Sequence, residues 1–143
     1  MRLRISGYVA GALVLLVALG VASANAQSTP NPSWGVVHEL MRQPLKSQPG
    51  TDVVLISVDY PPGGATPPHD HPGYAYVYVL QGKVISQVEG QKPQTFARGQ
   101  TWSELPYQHH LVSRNASRTA PAKLLVFLIV PHGEPLVHYL AKK

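Results

Sequence analysis

The sequence predicts an all-β protein, a sandwich or a barrel, on three observations. Twelve Gly and fourteen Pro in 143 residues interrupt the chain too often for long helices. Runs rich in β-branched and aromatic residues recur between those turn residues at a spacing of roughly 8–12 positions, as sandwiches and barrels require. No stretch carries convincing helical periodicity.

The elements follow in order. Residues 35–41 (GVVHELM) open the series. Thr51–Tyr60 is a strongly β-branched run bounded by Pro49-Gly50 and Pro61-Pro62. Residues 74–80 form the next strand, and Gln81-Gly82 turns the chain into residues 83–89. Gly90-Gln91 turns it again toward Gln94–Ala97. Thr101–Glu104, 109–113 and 123–130 complete the set. The stretch 124–130 is apolar on both faces, which suits a central strand or one covered by a second subunit. Residues 134–141 offer one C-terminal helical turn.

The composition, 44% hydrophobic and 13% charged, fits one globular domain and argues against disorder. With no Cys, disulfides, thiolate metal sites and a cysteine nucleophile are excluded. Met1-Arg2-Leu3-Arg4 is a basic start, residues 8–22 are an apolar run, and Ala24-Asn25-Ala26 has the small residues of a cleavage site. Residues 1–26 are therefore expected to be a secretory signal peptide, 27–33 a flexible arm and 34–143 a single domain. Residues 5–24 are long enough to span a bilayer as a retained anchor, but the Gly- and Ala-diluted run ending in A-x-A favours removal. The expected location is periplasmic or secreted, with no membrane attachment after cleavage. Losing Arg2 and Arg4 leaves ten basic against seven acidic residues. That balance, without a basic run or an aromatic-interleaved patch, gives no footing for nucleic acid.

The residues that carry chemistry are histidines. His69-Asp70-His71 begins an extended run just after Pro67-Pro68. In a strand, residues i and i+2 share a face, so both imidazoles can converge on one cation. Solvated loop histidines are the plainer reading of H-x-H alone. His109-His110 is a second pair just before a strand, and a metal site needs ligands from separate segments. His38, His132 and His138 lack partner spacing and read as surface residues, as does Asp70, which points away from its neighbours. Trp102 reads as core or pocket lining. Ser57, Ser103 and Ser113 have no triad context, and the Asn115-Ala-Ser117 sequon is a pattern match only.

Gly63, His69, His71 and Gly82 stand in the spacing G-x5-H-x-H-x3-E-x6-G, with Ala75 where that pattern has Glu. Gly99 and His110 stand in register with G-x5-P-x-G-x2-H-x3-N. There Leu105 holds the Pro position, Tyr107 the Gly position and Arg114 the Asn position, with Asn115 one residue late. Residues 83–98 separate the two motifs. Over about residues 50–131 the chain resembles the cupin superfamily, and within it the small single-domain, quercetin dioxygenase-like bacterial cupins. The resemblance implies an antiparallel jelly-roll, or double-stranded β-helix, barrel with a divalent transition metal (Fe, Zn, Ni, Cu or Mn) in its mouth. The metal ligands it implies are His69, His71 and His110. Imidazole suits Fe, Zn, Ni and Cu better than Mn. Alternation then puts Gly73, Ala75, Val77 and Val79 inside and Tyr74, Tyr76 and Tyr78 outside. The N-terminal strand or a second copy would cover the tyrosines, and a homodimer is expected.

Ala75 cannot ligate. Glu104 is the nearest replacement carboxylate, as a weak ligand or a catalytic proton acceptor; a solvated rim carboxylate is the reading the sequence favours. Gln108 is a weaker candidate. Of the adjacent histidines only one can point inward. Counting from Gly99 selects His110, and the late Asn115 then requires an extra residue after it, as in a β-bulge. Metal content is expected to fall as pH drops through about 6.5, where imidazole protonates. Two functions remain open: a metalloenzyme acting on a small oxygenated molecule (a dioxygenase, isomerase or lyase), or a non-catalytic module binding metal or a small ligand.

Overall fold

The computed structural model describes residues 34–141; the expected signal segment 1–26 and arm 27–33 lie outside them. The described residues form eleven strands and no helix. These are β1 (Val36–Pro44), β2 (Thr51–Tyr60), β3 (Ala65–Thr66), β4 (His69–Asp70), β5 (Tyr74–Gln81) and β6 (Lys83–Val88). Then come β7 (Gln94–Ala97), β8 (Thr101–Glu104), β9 (His110–Asn115), β10 (Ala122–Pro131) and β11 (His138–Tyr139). One sheet runs β1-β2-β10-β5-β8, the other β11-β4-β9-β6-β7 with β3 added against β9. Every pairing between these strands is antiparallel.

Strand alternation builds the core. Val54, Ile56, Val58 and Tyr60 of β2, Ala75, Val77 and Val79 of β5, and Leu124, Val126, Leu128 and Val130 of β10 all face inward and are buried. Val84 of the opposite sheet joins them. β10 lies between β2 and β5 as the central strand of its sheet, and the second apolar face of 124–130 is the outer one, where Leu125, Phe127 and Ile129 stand beside Tyr78, Tyr76 and Tyr74.

Three sequence expectations change. Residues 134–141 form no helical turn: His138 and Tyr139 pair with Asp70 and His69, supplying hydrogen bonds that β4 would otherwise lack along that edge. β3, β4 and β11 were not foreseen, because two residues are too few to show a period. The N-terminal strand β1 does not cover the tyrosines. It pairs with β2, two strands away from β5, and Tyr74, Tyr76 and Tyr78 stay 44%, 46% and 42% exposed beside Phe127.

Candidate metal centre

The site lies at the mouth between the sheets. Pro67-Pro68 delivers the chain into β4, which is held on both sides: His69 pairs with His110 of β9 and with Tyr139 of β11. The Leu140 N–H donates to Pro68 O at 2.9 Å. His69 and His71 are buried, with ring centroids 5.1 Å apart. Each ring has its Nδ1 hydrogen-bonded to a backbone carbonyl, His69 to Pro67 at 2.7 Å and His71 to Leu136 at 2.6 Å. A carbonyl only accepts, so both rings carry their proton on Nδ1 and present the Nε2 lone pair to the site.

Glu104 arrives from another strand. β8 pairs with β5 so that Glu104 stands directly opposite Ala75. Cross-strand neighbours lie about 5 Å apart at Cβ, and the Ala75 methyl leaves the space that the Glu104 side chain fills. Glu104 is only 2% exposed, so the solvated-rim reading is wrong. Its Oε1 accepts from Trp102 Nε1–H at 3.0 Å and lies 3.0 Å from His110 Nδ1. Its Oε2 lies 3.6 Å from His71 Nε2 and has no hydrogen-bond partner, although it is buried.

The residues therefore fit a metal ion. A buried carboxylate oxygen without a partner costs several kcal/mol unless something cationic completes it. One ligand atom each from His69, His71 and Glu104 lies within 4.8 Å of the others, and a 3.6 Å pair suits two bonds of about 2.0–2.1 Å. His110 is buried beside them, its ring 5.0 Å from that of His69. Its two nitrogens are already engaged, Nδ1 by Glu104 and Nε2 by Ser86 Oγ at 2.8 Å. The adjoining cavity of about 50 Å³ has mostly apolar walls, including Ile56, Val58, Val77, Leu124, Val126 and Val137. Among the described residues that line it there is no Lys or Arg. The Tyr60 hydroxyl, 2.6 Å from Thr66 Oγ1 and 2.8 Å from Ser113 Oγ, gives it one polar wall.

A family model described as Cupin domain matches residues 56–128, just over half of the 143. The chain belongs to the cupin family. No match was found among curated protein sequences. Among solved structures, this cupin is similar to a double-stranded β-helix protein from Klebsiella pneumoniae at 16% identity and TM-score 0.60, covering 80% of this chain and 90% of that one. It is also similar to an oxalate oxidase in complex with glycolate, at 25% identity and TM-score 0.59, covering 79% and 57%. A DMSP lyase from Ruegeria pomeroyi matches at 19% identity and TM-score 0.60, covering 74% and 51%. The cupin thus spans little more than half of the oxidase and the lyase.

The register of the second motif is visible in this cupin. Gln87 pairs with Val112 and Val88 with His110, so Leu111 is an extra residue on β9. That bulge is why Asn115 comes late. Asn115 is buried, with Nδ2 donating to Pro61 O and Ala120 O and Oδ1 accepting from Ser117 N–H. Its amide is spent on tying the loop, which leaves nothing for the sequon. Tyr107, at the motif's Gly position, adopts φ +58°, the left-handed conformation that glycine adopts freely. Its N–H donates to His71 O at 2.8 Å, bracing the ligand loop.

Other candidates lie elsewhere. His109 points outward, 3.3 Å from Glu89. Gln108 accepts from Leu105 N–H and takes no part in the site. Trp102 both packs on Phe96, with ring centroids 4.7 Å apart, and lines the cavity. Asp70 is buried and bound by His138 at 3.1 Å, so it is no surface residue. His132 sits 3.1 Å from both oxygens of buried Asp52 and His38 lies 3.6 Å from Asp59. Each partner is far away in sequence, which is why spacing alone could not reveal it.

Burial, and then the neighbouring His110 ring, hold the His69 pKa down to about 4. Burial also opposes ionisation of Glu104, but the hydrogen bonds from His110 and Trp102 outweigh it, leaving Glu104 below its ordinary value. Unfolded, the His69 ring titrates near 6.5. Between about 6.5 and about 4 the unfolded chain thus binds a proton that the folded chain refuses, so stability drops as pH is lowered across that window and is unaffected by this group above it. The melting temperature of chelator-treated protein is expected to fall from pH 6.5 to 4, and less steeply for His69→Gln. Equal slopes for the two proteins would contradict this. Proton competition for a metal at His69 likewise sets in below the 6.5 read from sequence.

Proposed function

We propose that this chain is an exported cupin metalloenzyme of the dioxygenase-like kind, acting on a small oxygenated molecule. The observation that carries this reading is the donor set: two neutral imidazoles and one carboxylate, with Glu104 Oε2 left unpartnered in a buried site. Two histidines and one carboxylate with open positions is the set that suits non-haem Fe(II) in oxygen-using enzymes. Bound there, a divalent ion would supply Lewis acidity and free coordination positions for an oxygenated ligand and dioxygen.

The chain's own residues do the rest. His69 and His71 are held in the ligating tautomer by two backbone carbonyls. Glu104 brings one negative charge, so a divalent centre keeps a net positive charge for one anionic ligand. The valine, isoleucine and leucine walls exclude bulk water and strengthen every electrostatic interaction within. A cavity of about 50 Å³ admits a ligand of a few heavy atoms. The similarity to an oxidase that holds glycolate supports the same size class.

The small cavity also favours a second reading, a non-catalytic binding cupin. Anaerobic reconstitution with Fe(II), metal analysis, and oxygen uptake with two- and three-carbon acids, small enols and a flavonol separate the two. Stoichiometric iron with uptake on a small acid or enol is expected. Iron without uptake on any of them would favour the binding module. We also propose a homodimer that buries the tyrosine face. Five strands about 4.8 Å apart and about 30 Å long present a face of about 700 Å², of the order of the roughly 800 Å² per partner that stable association needs. Sedimentation of a monomer at micromolar concentration would refute it.

A further inference from the structure

Tyr60 closes β2, and strand alternation carries its side chain inward, where it is buried. Thr66 of β3 and Ser113 of β9 stand opposite each other in the other sheet. The tyrosine hydroxyl reaches across to both, 2.6 Å from Thr66 Oγ1 and 2.8 Å from Ser113 Oγ. None of the three hydroxyls makes another hydrogen bond among the described residues. Each hydroxyl has one proton to donate, and its oxygen can also accept. Two contacts use two of the three protons, so one O–H is left over whichever way the hydroxyls turn. Tyr60 and Ser113 are buried, Thr66 is half-buried, and all three line the same cavity as His69, His71 and Glu104. A spare donor on that wall costs stability unless whatever fills the cavity accepts from it.

We propose that Tyr60, Thr66 and Ser113 form the second half of the ligand subsite, and that the ligand is a small monocarboxylate with one further, uncharged oxygen. The carboxylate goes to the metal centre, and the hydroxyl or carbonyl oxygen accepts the spare O–H. This deepens, and rests on, the reading of the site as a metal centre that takes one anionic ligand. The charge limit comes from the lining. Among the described residues it holds no Lys or Arg, so a second carboxylate would be buried with no cation to offset it. The oxygen requirement comes from the hydroxyls. An acid without that oxygen leaves the spare donor unpaired against apolar walls.

Spectral titration of the Co(II)-loaded full chain with three-carbon acids near neutral pH tests this. Lactate or 3-hydroxypropanoate, whichever binds better, is expected to bind about 3- to 10-fold more tightly than propanoate, the worth of one net hydrogen bond. Malonate, with two charges, is expected to bind no more tightly than propanoate. The double variant Tyr60→Phe with Ser113→Ala removes both buried hydroxyls and leaves half-buried Thr66 to turn to solvent. Replacing paired hydroxyls by apolar groups of similar shape is nearly neutral for folding, so the variant should fold and its preference for the hydroxy acid should disappear. A preference that survives in the double variant would put the ligand's hydroxyl on the metal and overturns the proposal. So does wild-type protein that binds propanoate as tightly as both hydroxy acids, or malonate more tightly than either. Wild-type protein that takes up no Co(II), or whose Co(II) form binds none of these acids, overturns the reading of the centre itself, and this proposal with it.

Discussion

Glu104→Gln is expected to lower the affinity of the protein for Fe(II) or Co(II) by about 100-fold or more, beyond what outer partners usually contribute, while the barrel stays folded. The substitution keeps the volume of the side chain and removes its charge. It also replaces an acceptor with a donor on one side. If the amide nitrogen faces His110 Nδ1–H or Trp102 Nε1–H, two donors oppose each other; if it faces the site, no lone pair is left for the ion. A sharper form uses the strand pairing. Ala75 is Glu104's direct neighbour across β5 and β8, so Ala75→Glu combined with Glu104→Ala moves the carboxylate back across the ladder. That double variant should regain much of the lost affinity. Calorimetric titration with Co(II) reads all three proteins. Wild-type affinity in Glu104→Gln would remove the carboxylate from the centre.

Gly73→Ala is expected to cost more stability than a methyl group added at any other glycine of the described residues. A Cβ at this position would lie 1.9 Å from the Ile129 carbonyl oxygen and 2.8 Å from its carbon, both backbone atoms of the central strand β10. No rotamer relieves a backbone clash, so β5 and β10 must separate locally, where Tyr74 pairs with Ile129. We expect a loss of about 3 kcal/mol or more and a fall in melting temperature of about 10 °C or more. Gly90→Ala is the control. It has φ +82° and nothing within 4 Å, so it should cost only the left-handed penalty of about 1–2 kcal/mol. Thermal melts of both variants in chelator check this, and equal shifts would contradict it. Because Gly73 follows His71 by two residues, the metal site should loosen as well.

What could be read from the sequence follows from how local each signal is. The long strands were legible because period-two alternation and bounding Gly and Pro lie within ten residues; β5 shows it in Ala75, Val77 and Val79 against three tyrosines. His69 and His71 were legible as a pair for the same reason. Glu104 was legible only as a residue near the right place. Its burial depends on β8 lying against Ala75, a pairing across 29 positions that no spacing rule contains. Ser86 gave no signal at all, since its partner His110 is 24 residues away. The partners of buried Asp52 and Asp70, His132 and His138, were hidden in the same way.

The anchor of His71 is a carbonyl 65 residues further along the chain, at Leu136, and β4 gains its second neighbour only from residues 138 and 139. A growing chain therefore carries His71 long before the carbonyl that fixes how it points has been made. The His71 ring is locked toward the interior only when residues 136–139 have folded back against β4, whereas His69 has its carbonyl two residues away at Pro67. Completion of the centre is thereby tied to synthesis through residue 139, and a chain cut short of that point has both histidines without the finished site.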